Sequence, residues 1–230
     1  MMLWVLFGGI FNGVCPGPVS VSVRFGDSVS LPCDGSAYRG TPEDRIYLRW
    51  KTVRLFVCAF SRGKPYAGPG FETRAQVSRE KIRRGDFSLS LLQASFSDED
   101  VYECAFKKEI NNLLCLGRVR LNVTARSEVL SLQAGASLSV PLFTGEPVEV
   151  LFDPAGSGDW TSVCSVQNST ASCVPQYRDR VSVDNQELRL QELRASDQGS
   201  YTVRDLQGNT ISTVIVTVEG EWIRERGICN

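Results

Sequence analysis

The sequence predicts an all-β protein made of two tandem β-sandwiches. One short phrase occurs twice, as Asp98-Glu-Asp-Val-Tyr102-Glu-Cys104 and as Asp197-Gln-Gly-Ser-Tyr201-Thr-Val203. In both copies an acid precedes a Tyr by four positions, and two positions later stands Cys104 or Val203. An acid at a strand corner, a Tyr leading into the next strand and a Cys facing the opposite sheet are marks of a two-sheet Greek-key sandwich. Short alternating apolar and polar runs surround both phrases, as half-buried strands require. The 230 residues suffice for two such domains of about 100 residues each.

Composition points to binding rather than catalysis. The net charge is -1, so no strong field recruits nucleic acid, and Arg83-Arg84 and Lys107-Lys108 are short surface clusters. The chain has no histidine, which removes His-based acid–base chemistry, Ser–His–Asp triads and His-containing zinc sites. No catalytic residue, cofactor, metal or small-molecule substrate is expected.

The apolar run Met1–Phe11 has the length of a leader core and is too short for a membrane span. A signal peptide over residues 1–15 is expected, with cleavage near Gly13 to Gly17, so that Cys15 is removed or lies near the new terminus. Export makes the cysteines candidates for disulfides. Asn122-Val-Thr124 and Asn168-Ser-Thr170 are glycan acceptors that agree with it. No later stretch reads as a transmembrane span. The chain is expected to be secreted or to stand on the extracellular face of the plasma membrane.

The first domain is expected over residues 18–124. Val19 to Arg24 alternates as a half-buried strand. In strand B, Val29, Leu31 and Cys33 share one face, and in strand C, Ile46 to Trp50 turns Trp50 inward. Cys33, Trp50 and Cys104 then form one unit, an inter-sheet disulfide with an indole against it. The long step from Cys33 to Cys104 leaves room for strands C′ and C″, with C′ at Arg54 to Phe60. Arg74 is expected to pair with Asp98, as Arg180 with Asp197 in the second domain. Tyr102 and Tyr201 hold the two corners.

Residues 26–33 (GDSVSLPC), 60–66 (FSRGKPY) and 71–104, ending in SDEDVYEC, resemble the variable-type (V-set) immunoglobulin domain. Within that superfamily they look most like the butyrophilin and myelin-oligodendrocyte-glycoprotein group of cell-surface immune receptors and ligands. The resemblance implies an extracellular recognition or co-signalling protein whose partner is another immunoglobulin-type surface receptor. It covers the first domain only.

The second immunoglobulin-like domain is expected over residues 128–219, with a polar tail at 220–230. Ala134 to Leu142 parallels strand B, with Leu142 in the place of Cys33. Val148 to Phe152 parallels strand C, with Phe152 in the place of Trp50. The inter-sheet pin becomes Leu142 against Val203. The shorter step between them predicts a smaller sandwich with fewer C′ and C″ residues. Butyrophilin-like proteins usually keep the cysteine pair that this domain lacks.

Cys164 and Cys173 flank a hairpin with Asn168 at its tip, and a cross-hairpin disulfide is the natural reading. Cys58 on C′ and Cys115 at the start of strand G share a sheet but lie too far apart to bridge unless the F–G loop folds back. Such a bond would tether that loop, the alternative being free or intermolecular thiols. Cys229 is left over, which points to a covalent homodimer or an incomplete chain end.

A protein partner is expected on the sheet formed by strands G, F, C and C′. Its candidate contacts are Tyr47, Arg49 and Lys51 on C; Leu55, Phe56 and Val57 on C′; and Lys107, Lys108, Ile110, Leu113 and Leu114 around the F–G loop. Apolar anchors ringed by charge are what protein interfaces use. Arg84-Gly85-Asp86 reads as a turn before Phe87 rather than an adhesion motif. The first domain is thus expected to recognise and the second to act as a spacer, with a soluble decoy or a homophilic adhesion protein as the alternatives.

Overall fold

The computed structural model describes residues 15–109, 112–154 and 156–220. Residues 1–14, on which the expected signal peptide falls, Ile110 and Cys229 lie outside the described residues. The chain divides into two compact units with the boundary at Val123 and Thr124. Both are β-sandwiches.

The first unit runs β1 (Val19–Arg24), β2 (Val29–Leu31), β3 (Tyr47–Lys51), β4 (Phe56–Ser61), β5 (Lys64–Ala67), β6 (Ala75–Val77), α1 (Arg79–Arg83), β7 (Leu89–Leu91), β8 (Val101–Glu109) and β9 (Asn112–Thr124). A six-stranded sheet, ordered β1-β9-β8-β3-β4-β5, belongs to one sandwich with a three-stranded sheet, β2-β7-β6. Strict alternation on β3 buries Leu48 and Trp50 and leaves Tyr47, Arg49 and Lys51 half-buried on the opposite face. The core takes Leu48, Trp50, Phe60 and Phe106 from the large sheet and Leu31, Leu89 and Leu91 from the small one. The buried indole Nε1–H of Trp50 donates to the carbonyl of Phe87 at 3.0 Å, which keeps the large ring's polar atom satisfied. Cys33 and Cys104 are bonded across the two sheets, with Cα atoms 6.3 Å apart.

Between β6 and β7 the chain inserts α1. Ser78 caps it by accepting from the Lys81 N–H at 3.4 Å, Ile82 is buried, and Glu43 accepts from both Arg79 and Arg83. The chain then turns at Gly85, where φ is +83° and an added Cβ would stand 2.9 Å from the Ser36 Cα. Arg84 pairs with Glu80. Asp86 accepts from the Ser88 N–H at 2.9 Å and lies 3.8 Å from Lys81. Both charged side chains of the Arg-Gly-Asp tripeptide are engaged within the domain.

The second unit runs β10 (Arg126–Gln133), β11 (Leu138–Pro141), β12 (Val148–Pro154), β13 (Thr161–Gln167), β14 (Thr170–Cys173), β15 (Val181–Asp184), β16 (Glu187–Leu190), β17 (Gly199–Asp205) and β18 (Thr210–Glu219). Its sheets are β10-β18-β17-β12-β13-β14 and β11-β16-β15, the same strand orders as in the first unit. Strands β13 and β14 occupy the C′ and C″ places, so the expectation of fewer C′ and C″ residues is corrected. The shortening lies in two connections, β11 to β12 and β15 to β16, each shorter than its counterpart in the first unit, β2 to β3 and β6 to β7. Where the first unit carries α1, the second turns from Asp184 to Glu187 through Asn185 and Gln186, both at positive φ. That is the backbone of a tight two-residue hairpin.

The place of Trp50 is also corrected. Trp50 stands opposite Cys104, but the residue opposite Val203 is Val150, not Phe152. Phe152 pairs with Tyr201, ring centroids 4.8 Å apart. Leu142 and Val203 are both buried, so an apolar core stands where the first unit has its disulfide. The bond of this unit is Cys164–Cys173 instead. These residues face each other directly on β13 and β14, Cα atoms 4.0 Å apart, so it clips neighbouring strands rather than opposing sheets.

The two corners are built alike. The Tyr102 hydroxyl donates to the Asp98 carbonyl at 2.8 Å, and the Tyr201 hydroxyl to the Asp197 carbonyl at 2.9 Å. The Asp98 carboxylate accepts from Arg74 and from the Ser95 N–H and hydroxyl. Asp197 accepts from Arg180 through two nitrogens, at 2.7 and 3.0 Å, and from the Arg194 N–H at 2.9 Å. Burial alone would raise the Asp197 carboxyl, but these donors outweigh it and hold the group below its ordinary value.

Candidate functional site

The outer face of the six-stranded sheet in the first unit is laid out in three rows by strand register. The first row is Lys64, Ser61, Tyr47, Lys107 and Leu113, one residue from each of β5, β4, β3, β8 and β9. The second is Tyr66, Ala59, Arg49, Ala105 and Cys115. The third is Phe56, Lys51, Glu103 and Arg118.

The middle row decides the shape of this face. Arg49 lies between two alanines that are only 4% and 1% exposed, Ala59 and Ala105, so taller neighbours stand around a low floor. Tyr66, 50% exposed, ends the row on one side, and the Cys15–Cys115 bond ends it on the other. Leu55, Phe56 and Leu113 add exposed apolar surface nearby in sequence and register.

The charges of the face are unequally committed. Lys51 lies 3.4 Å from Glu103. Arg118 donates to the carbonyls of Pro16 and Cys15, at 3.2 and 3.1 Å. Arg49 has no carboxylate partner among the described residues, and its buried Nε donates to nothing. Cations outnumber anions in the three rows, with Lys64, Lys107, Arg49, Lys51 and Arg118 against Glu103 alone.

Several expected site residues fall elsewhere. Cys58 does not meet Cys115. It stands opposite Trp50 on the inward face, while Cys115 stands opposite Ala105 on the outward face, with β3 and β8 between their strands. Strand alternation therefore puts the sheet itself between the two sulfurs. Cys58 is a free, buried thiol, pushed up to about 12 by loss of solvent. Cys115 is bonded to Cys15, Cα atoms 5.2 Å apart, a pairing the sequence reading did not anticipate. Val57 is fully buried. The register slips there, with Trp50 opposite Cys58 and Lys51 opposite Phe56, so Val57 is the extra residue of a bulge. Leu114 stands opposite the buried Phe106, on the other side of the sheet from Leu113. Lys108 belongs to β8.

Sequence reasoning missed Tyr66, Ala59, Ala105, Glu103 and Cys15. Glu103 and Ala105 flank the inward Cys104 and could have been placed outward by alternation alone. Tyr66 and Ala59 needed the β4–β5 register, and Cys15 needed the path of the chain before β1. Of the glycan acceptors, Asn122 is half-buried on β9, between the inward Leu121 and Val123. Asn168 is exposed at the two-residue turn joining β13 to β14, where it and Ser169 both have positive φ.

Residues 17–124 match the family model of the immunoglobulin V-set domain. The first unit is a V-set immunoglobulin domain. No curated protein matches the chain. Among solved structures, the V-set domain is similar to the human B7-H4 IgV-like domain, at 18% identity and a TM-score of 0.41, over 46% of this chain and 94% of that one. Among the described residues no helix is long and apolar enough to cross a membrane.

Proposed function

We propose that the chain is an extracellular, immune-type recognition protein whose V-set domain binds a protein partner through the outer face of its six-stranded sheet. The observation that carries this reading is the collection of exposed Leu55, Phe56, Tyr66 and Leu113 around a half-buried, unpaired Arg49. None of the four apolar side chains is needed for the core, and large apolar side chains and Arg are the groups that interfaces favour. The resemblance to butyrophilin-like proteins supports another immunoglobulin-type surface receptor as the partner. Disulfides in both units fit an oxidising compartment, at the cell surface or in secretion.

The excess of cations opposes face-to-face pairing of two copies, so heterophilic binding is favoured over self-adhesion. The test is an array of cell-surface ectodomains probed with the tetramerised full chain. Phe56→Asp with Tyr66→Asp should abolish whatever signal the native chain gives. A signal that survives the double change rejects this face.

A further inference from the structure

We infer that the partner of the V-set outer face inserts a carboxylate, carried on a protein segment with apolar side chains to either side, against Arg49. This inference rests on the proposed use of the face and adds the chemistry of what it meets.

In its own row Arg49 has only small neighbours on the adjoining strands. Ala59 and Ala105 stand directly beside it and carry one methyl group each. No acid reaches it from β4 or β8, and the face's own anion, Glu103, stands one row away opposite Lys51. Arg49's Nε is withdrawn from water and unpaired. A guanidinium presents a planar fork of donors that matches a carboxylate with two parallel hydrogen bonds, which a lysine cannot imitate. A buried donor left unpaired costs more than the pair it could form contributes, so an occupant that satisfies it is favoured over one that only covers it.

The surroundings define the rest of the occupant. Tyr66 and Phe56 lie toward the β5 and β4 side, and Leu113 lies across the sheet on β9. These are apolar contacts on both sides of the guanidinium. Lys64 and Lys107, in the adjacent row, add positive potential and repel a basic occupant. A neutral apolar segment would fill the sides and leave Arg49 buried and unpaired. A strongly acidic segment without apolar flanks would satisfy Arg49 and leave Tyr66, Phe56 and Leu113 uncovered. The combination selects one acid between large apolar side chains.

The test uses the oxidised full chain, labelled with nitrogen-15 at arginine and alanine, and two capped peptides, acetyl-Leu-Phe-Glu-Phe-Leu-amide and its glutamine counterpart. The glutamate peptide should move the Arg49 Nε–H signal and the Ala59 and Ala105 amides, with affinity about tenfold above that of the glutamine peptide. In Arg49→Met that preference should vanish, and in Arg49→Lys it should persist in weakened form. Equal affinity for the two peptides, with the face signals moving in both titrations, overturns the carboxylate inference and leaves the face reading standing. A glutamate preference that survives Arg49→Met overturns it as well. Peptide binding that leaves every signal of the face unmoved, or no binding by either peptide, overturns both.

Discussion

Removing the Cys15–Cys115 bond should loosen the V-set domain without disturbing its inter-sheet pin. The bond spans a sequence separation of 100, while Cys33–Cys104 lies inside it and already closes 71 positions. With the inner bond intact, the outer one constrains only the flanking arms, an effective loop of about 30 residues, which corresponds to roughly 3.6 kcal/mol of unfolded-state entropy. For a domain of about 100 residues that is a shift in Tm of roughly 15 °C. The assay is thermal and denaturant unfolding of Cys15→Ser with Cys115→Ser, followed by the fluorescence of Trp50, which lies against the core. The folded baseline should match the native protein, with only the midpoint moved. The native protein checks the underlying chemistry: intact mass of the secreted chain should place its first residue at or before Cys15, and Cys115 should resist alkylation until reduced. A midpoint within about 1 kcal/mol of the native value, or a mature chain beginning after Cys15, would refute the reasoning.

Three further outcomes follow from the geometry. In the second unit, Arg180→Met leaves the Asp197 carboxylate buried and stripped of its paired donor, and should cost about 3–5 kcal/mol, while Tyr201→Phe removes one neutral hydrogen bond and should cost about 1 kcal/mol, both read by urea unfolding. The Asp197 carboxyl is held below its ordinary value of 3.8, so its contribution to stability is fully present above that pH and is lost as pH falls through the lower, folded-state value. Native protein should therefore lose second-unit stability on acidification below about pH 4, and Asp197→Asn should lose that part of the dependence. Cys58, pushed up to about 12 by burial, should stay unlabelled by maleimide in the oxidised native chain and react at once on unfolding.

The repeated corner phrase made most of the fold legible. Tyr102 and Tyr201 need a hydroxyl partner when buried, and Asp98 and Asp197 need a cation, so a local spacing carried a tertiary arrangement that the structure builds twice. Alternation along β3 likewise separated Trp50 from Arg49 without any knowledge of the neighbours. What the sequence did not reveal depends on register between distant strands. Phe152 matched Trp50 by counting from the preceding strand, but pairing with β17 is set by hydrogen bonds and puts Val150 there instead. The bulge at Val57 shifts one residue of β4, and a shift of one is enough to turn an exposed side chain into a buried one. Cys58 and Cys115 were correctly placed on one sheet, but the face each takes follows from its cross-strand partner, which sequence spacing does not specify. The extra length of the first domain sits partly between β2 and β3 and partly at α1, between β6 and β7, where Ile82 gives that turn of helix something to bury.

Affinity for the partner recovered from an ectodomain array is the quantity to measure, in the native chain and in two single variants. Leu113→Asp places a charge in the apolar margin of the outer face, and Gln76→Asp places one on an exposed position of β6, on the opposite sheet. Leu113→Asp should weaken Kd by about thirtyfold or more, the mark of an interface anchor, while Gln76→Asp should leave it within about twofold. Unchanged affinity in Leu113→Asp together with a large loss in Gln76→Asp would place recognition on the three-stranded sheet and contradict the outer-face account.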